Sequence, residues 1–132
     1  MKLACIDVGL KRIGVAISLS SNIVTPQTAI LRKNRNQAAN EVNAFLKEWE
    51  IEKLIVGYPS ASEDMQKRIA HFINLLDLQI PHELQEENMS SVEAEDLMKG
   101  EIKYKRDGRV DSLAAKIILE RYLAKTSKTQ SS

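Results

Sequence analysis

Between Arg12 and Leu19 the chain alternates without a break. Ile13, Val15, Ile17 and Leu19 are large and apolar, and Gly14, Ala16 and Ser18 are small. A period of two suits an extended strand with one strongly buried face; a helix would scatter the same residues around its axis. Upstream, Leu3-Ala4-Cys5-Ile6-Asp7-Val8 is an apolar run broken by one carboxylate, and Gly9 follows it. That run suits a well-buried strand, and glycine can adopt φ > 0 and turn the chain. A third strand is expected over Ile23 to Leu31, with Pro26 marking a sheet edge or an interruption. Three strands joined by short turns make an antiparallel meander.

The period then changes. Ala38, Val42, Phe45, Leu46 and Trp49 recur at helical spacing. Lys53 to Tyr58 is continuous and apolar, as expected of a central strand covered on both faces. Ser60-Ala61-Ser62-Glu63 reads as a capping box before a helix carrying Met65, Ile69, Phe72, Ile73 and Leu76. Pro81 introduces a fifth strand through His82 to Glu86. Ser90-Ser91-Val92-Glu93 reads as a second capping box, opening a short helix that Gly100 ends. A last helix is expected from Val110 to Leu123, with Leu113, Ala114, Ile117 and Ile118 inward. This order predicts an α/β fold: a mixed five-stranded sheet, a meander followed by parallel strands, flanked by helices. One domain over residues 1–124 and a polar, disordered tail over 125–132 are expected.

Composition narrows the class. A chain of 132 residues that is 43% hydrophobic and 28% charged, with five glycines and three prolines, is built like an ordinary globular domain. Its longest apolar runs, such as Leu54-Ile55-Val56, are far too short to cross a bilayer, and no signal-peptide core develops at the N-terminus. A single cysteine forms no internal disulfide, so a cytoplasmic location is expected. The net charge of +1 is unevenly spread: residues 1–36 carry +5, residues 37–98 carry −9 and residues 99–132 carry +5. Such blocks can present a basic face to an anionic partner, although solvated surfaces also explain them.

Asp7 stands out because an unpaired carboxylate is expensive to bury in a strand. A cap or an ion pair with Lys11 or Arg12 is the ordinary explanation of an isolated aspartate. Two further acidic positions change the weighing. Glu86-Glu87 closes the fifth strand, and Asp111 lies in the first turn of the last helix, where the macrodipole favours an anion. All three places are ends of core elements, where α/β proteins assemble sites. Clustered carboxylates repel, so together they make sense around hard cations with oxygen ligands, Mg²⁺ or Mn²⁺. Two such ions about 4 Å apart can clamp the attacking and leaving oxygens of a phosphodiester. The residues alone do not choose between Glu86 and Glu87.

The same segments carry a resemblance. Ile6-Asp7-Val8-Gly9-Leu10-Lys11-Arg12-Ile13-Gly14-Val15-Ala16 resembles the opening hairpin of the bacterial YqgF family of Holliday junction resolvase-like proteins. Leu54-Ile55-Val56-Gly57-Tyr58-Pro59 is similar to that family's Val-Gly-Leu-Pro strand end. Glu86-Glu87-Asn88-Met89-Ser90-Ser91 is similar to its Asp-Glu-Arg-Leu-Thr-Thr segment, and Val110-Asp111-Ser112-Leu113-Ala114-Ala115 to its last helix start. The likeness runs in order from Lys2 to Leu123. It implies a ribonuclease H-like fold and a nuclease that hydrolyses phosphodiesters in structured nucleic acid. The favoured substrate is the 5′ end of precursor 16S rRNA, and branched DNA is the alternative.

Carried over, the family's acidic triad falls on Asp7, Glu87 and Asp111, as catalytic residues and as ligands of a pair of Mg²⁺ or Mn²⁺ ions. Lys11 and Arg12 are then the first candidates for holding the nucleic-acid backbone, with Lys105 and Arg109 second. The implied partners are precursor rRNA or branched DNA and ribosomal particles, with no membrane and a monomer or weak homodimer. Asn88 stands in place of the family's arginine, Glu86 in place of its aspartate, and Ser60 to Met65 lacks its glycine.

Two other classes compete. A non-catalytic nucleic-acid-binding module would keep the fold without needing the triad. A sugar kinase or actin-like ATPase also opens on Asp-Val-Gly, but needs two such domains around its nucleotide. His71 is expected on a solvated flank, His82 as structural, and Cys5 as a small core residue. Met65, Phe72 and Trp49 are expected in the core; with 5% aromatic residues, base stacking is not expected to dominate recognition.

Overall fold

The computed structural model describes residues 1–9, 11–20, 23–59, 62–86 and 109–130, with the side chains of 109–111 and 127–130 left aside. Strands β1 (Leu3–Val8), β2 (Arg12–Ser18) and β3 (Thr25–Leu31) are followed by helix α1 (Arg35–Glu48) and strand β4 (Lys53–Tyr58). Helix α2 (Glu63–Leu76), strand β5 (His82–Glu86) and helix α3 (Arg109–Gln130) complete the described elements. The sheet order is β3-β2-β1-β4-β5. β1, β2 and β3 pair antiparallel, and β4 and β5 add parallel to β1. The expected meander and mixed five-stranded sheet are therefore what forms. β3 is the edge strand that Pro26 requires, and a bulge opposite Gly14 shifts its register between Ile13 and Val15.

Alternation along the strands divides the core in two. Ala4, Ile6, Val8, Ile13, Val15, Ile17, Leu54 and Val56 face α1 and α2, meeting Ala38, Val42, Leu46, Ile69, Phe72 and Leu76. Leu3, Cys5, Ala16 and Ile55 face α3, meeting Ala115, Ile118, Leu119 and Tyr122. Cys5 and Phe72 are fully buried core residues, as expected, while Met65 and Trp49 are only partly covered.

Several local expectations change. The cap of α2 is Ser62, whose hydroxyl accepts from the Met65 N–H at 3.3 Å, not Ser60. A capping box opens α1: the Asn34 side chain accepts from the Gln37 N–H at 2.8 Å while Gln37 reaches back to the Asn34 N–H. Helix α3 continues to Gln130, through most of the segment expected to be a disordered tail. Residues 124–130 contain neither glycine nor proline, so nothing in the sequence stops the helix at Leu123. The second capping box and the short helix expected after Ser90 lie outside the described residues.

Because β1, β4 and β5 run parallel, their C-terminal ends lie together. The N-termini of α1 and α2 lie at that same end, since β3 and β4 lead into them there, and the Ser112–Val15 hydrogen bond brings the first turn of α3 to β2 beside Gly14. An open α/β sheet places its binding crevice there.

Candidate nuclease site at the sheet's C-terminal end

The site is built around the end of β1. Asp7 is half-buried and pairs across β1–β2 with Gly14. By strand alternation it shares the α3 face with Leu3 and Cys5. On β4, Gly57 falls one step beyond the last paired residues, Ile6 and Val56, and Gly57 in turn pairs with Gln85 of β5. A row Gly14, Asp7, Gly57, Gln85 therefore crosses the sheet on one face. Glycine raises no side chain there, so the carboxylate stands between two positions that leave the face low.

Gly9 closes the turn beyond Asp7. A Cβ at Gly9 would come within 2.6 Å of the Arg12 carbonyl oxygen, to which the Gly9 N–H donates at 3.0 Å. Close backbone approach, rather than a left-handed φ, is thus what requires glycine. The turn is tied from outside as well: the Arg32 N–H donates to the Lys11 carbonyl at 2.8 Å, and Arg32 Nη1 to the Gly9 carbonyl at 2.9 Å.

Helix α3 is fastened to the same place. The Ser112 hydroxyl, fully buried, accepts from the Val15 N–H at 3.0 Å, joining residues 97 apart in sequence. Val15 adjoins Gly14, the cross-strand partner of Asp7. The first turn of α3, which contains residue 111, is therefore held against β2 next to the cross-strand partner of Asp7.

The predicted site residues divide as follows. Asp7 stands at the crevice, and the backbone of Asp111 and Arg109 is in the first turn of α3. Lys11 and Arg12 are exposed on the β1–β2 turn. Glu87 and Lys105 lie outside the described residues. Glu86 pairs with Tyr58 at the end of β5, is exposed, and falls on the face opposite Asp7. Among the described residues no group of three or more His, Cys, Asp or Glu is gathered as for a metal ion. His82 is exposed at the start of β5, and His71, also exposed, contacts Arg35 at 3.0 Å.

Sequence reasoning missed Ser112, Gln85 and Arg32. The Gln85 Oε1 atom is buried and has no hydrogen-bond partner, an expensive state for a polar atom on the face that carries Asp7. A signal for Gln85 was available in its parity with Glu83 along β5. Ser112 and Arg32 act only through the tertiary fold.

A five-stranded mixed sheet with an acidic residue at the end of its central strand and a helix laid across it is a ribonuclease H-like fold. Solved structures agree on this fold: the fowlpox virus Holliday junction resolvase superposes with a TM-score of 0.60 at 16% identity, covering 96% of this chain and 99% of that one. The RuvC structure of Thermus thermophilus gives 0.52 at 12% identity, covering 96% of each. The chain belongs to the RuvX family, described as Holliday junction resolvase, which matches over residues 1–125. A relative in Sulfurovum sp. is 61% identical over 127 residues, spanning 94% of this chain and 99% of its own. One in Sulfurimonas denitrificans is 52% identical (93% and 97%), and one in Helicobacter pylori is 48% identical (98% and 100%). All three are named as candidate pre-16S rRNA nucleases. No helix among the described residues is long and apolar enough to cross a membrane.

Proposed function

We propose that this protein is a divalent-metal-dependent nuclease that processes the 5′ end of precursor 16S rRNA in the cytoplasm, with Asp7, Glu87 and Asp111 as its acidic triad. The observation that carries this reading is the anchoring of the α3 first turn beside the Asp7 row through Ser112 and Val15. That bond holds the turn carrying residue 111 against the strand whose Gly14 pairs with Asp7. Glu87 is preferred to Glu86 because Glu86 falls on the face away from Asp7.

The donor set fits a hard cation. Asp7, Glu87 and Asp111 offer carboxylate oxygens only, and Asp7 stands between two glycine positions, Gly14 and Gly57, that raise no side chain on its face. Asp7, on the central strand, would hold the cations jointly with Glu87 and Asp111. Bound Mg²⁺ or Mn²⁺, as a pair, supplies Lewis-acid polarisation of the phosphodiester and an activated water. The chain does the rest. Lys11 and Arg12 hold the nucleic-acid backbone, with Arg109 and Lys105 as the second candidates for that role. The N-terminus of α3 adds a positive dipole end where the substrate's anionic phosphate would lie. No protein nucleophile is required, so catalysis rests on positioning and charge.

The test is cleavage of a 5′-extended 16S precursor and of a four-way DNA junction, side by side, with Mg²⁺ or Mn²⁺, by wild type and Asp7→Asn. We expect metal-dependent cutting of the precursor, lowered in the variant by about 10³-fold or more. Unchanged cutting by Asp7→Asn would overturn the mechanism. Preference for the junction would assign the branched-DNA role, which requires two active sites and hence a dimer.

A further inference from the structure

Three arginines from separate parts of the chain lie near enough to one another, beside the β1–β2 turn that Arg32 touches, for Arg35 and Arg68 to act on the charge of Arg32. Arg32 follows β3, Arg35 lies in the first turn of α1, and Arg68 in the second turn of α2. Arg32 is half-buried, holding the Gly9 carbonyl at 2.9 Å and lying 5.7 Å from the centre of the Phe72 ring. Desolvation lowers its pKa from the usual arginine value, and the nearby charges of Arg35 and Arg68 add to that lowering. Like charges gathered in this way repel, so an acidic partner would be expected among them. None forms an ion pair with them among the described residues: the pairs Lys2–Glu50, Lys53–Glu83 and Lys116–Glu120 all involve other residues. Arg35 instead meets His71 Nε2 at 3.0 Å. A guanidinium only donates, so the imidazole nitrogen accepts and leaves the positive charge uncancelled.

Two further features point the same way. The first turn of α1 contains no acidic residue, unlike that of α2 with Glu63 and Asp64, so its positive dipole end adds to the cluster. A cleft of about 290 Å³ lined by Asn34, Arg35, Asn36, His71 and Leu75 opens beside it. Arg35 and Arg68 are exposed, and only Arg32 is committed to the fold.

We propose that Arg35 and Arg68, supported by Arg32, form a second phosphate-binding ridge that grips the nucleic-acid backbone on the α1/α2 side of the turn. This rests on the nucleic-acid reading above and extends its footprint. Gly9 is two residues beyond Asp7, about 7 Å along the strand, so the ridge lies a few nucleotides from Asp7. The substrate therefore crosses the β1–β2 turn, with its scissile phosphate on the α3 face and its flanking phosphates on the α1/α2 face. Arginine forks suit phosphate oxygens and carry no sequence information, so the ridge sets register and affinity.

The test is metal-free binding of a short fluorescein-labelled RNA duplex in EDTA, by anisotropy across a potassium chloride titration. In Arg35→Gln/Arg68→Gln we expect roughly tenfold weaker binding at low salt, and a log–log salt slope smaller by about two. The charge-keeping Arg35→Lys/Arg68→Lys should retain most of the slope. Lys2→Gln/Lys47→Gln, which removes equal charge at the opposite end of the fold, should retain all of it. Cleavage by the glutamine variant should show raised KM with kcat kept. An unchanged slope, an equal loss in the Lys2/Lys47 variant, or no salt-dependent binding by wild type would overturn the ridge. The two readings fail separately: arginine-dependent binding without cutting removes only the nuclease, and cutting with an unchanged slope removes only the ridge.

Discussion

The two faces of the sheet are held by different forces. The face under α1 and α2 is large and apolar: Ile6, Ile13, Val15, Leu54, Val56, Ile69, Phe72 and Leu76 are all essentially solvent-free. The face under α3 mixes small groups, Cys5, Ala16 and Ala115, with Ile55, Ile118 and Leu119, and it carries a polar tether at both ends. At the crevice end the Val15 N–H donates to Ser112, and at the other Lys53 Nζ donates to the Tyr122 hydroxyl at 2.8 Å while lying 3.7 Å from Glu83. Burial is non-directional and lets a helix slide a little at small cost, whereas a hydrogen bond fixes a position along the axis. The helix that carries Asp111 is therefore fastened to the sheet at two points.

The largest stability effect should come from the apolar face. Phe72→Ala removes a fully buried ring and should cost about 3–5 kcal/mol in urea unfolding. Activity per folded molecule should survive, because Phe72 faces away from Asp7. A loss of kcat in the folded variant would mean that the two faces are coupled through Arg32, which lies over the ring.

Ser112→Ala should reverse the proportions. It leaves the Val15 N–H buried without its acceptor, a cost of about 1–3 kcal/mol, smaller than that of Phe72→Ala. The drop in kcat should nevertheless be about tenfold or more, since the first turn of α3 loses its fixed distance from the Asp7 row. Ile118→Val, costing about 0.5–1.5 kcal/mol in the same face, is the control. If both variants lower kcat alike, the Ser112 bond contributes stability alone.

The same contrast explains what could be read from the sequence. Apolar periodicity marked β1, β2, β4, α1 and α2, because non-directional burial repeats with the period of the element that it covers. Pro26 marked the edge strand because its missing N–H excludes it from a sheet interior. Asp7 was legible as an expensive carboxylate in an apolar run. Ser112 was not, since a serine in a helix has many uses and its partner is 97 residues away. Neither was the cluster of Arg32, Arg35 and Arg68, which exists only once β3, α1 and α2 converge. The end of α3 was misjudged for the opposite reason: a polar segment was read as unstructured, although its residues are compatible with helix.

The smallest effect tests the far tether. The Tyr122 hydroxyl raises the pKa of Lys53 above the ordinary lysine range, with Glu83 adding to it and desolvation opposing. A folded-state pKa that is raised stabilises the fold fully below the unfolded value, about 10.4, and that stabilisation fades as pH climbs through the folded value. Tyr122→Phe keeps the ring beneath Lys53 and removes only the hydroxyl. Because Lys53 still reaches Glu83 and solvent, the loss should stay below about 1 kcal/mol. The difference from wild type should be constant from about pH 6 to 9 and shrink in more alkaline solution. A difference that grows with pH would show that the hydroxyl does not favour the charged lysine. Catalysis should be untouched, because this tether sits at the end of α3 remote from Asp7. A fall in kcat as large as that of Ser112→Ala would mean that both bonds are needed to hold the helix, and that neither end alone sets the site.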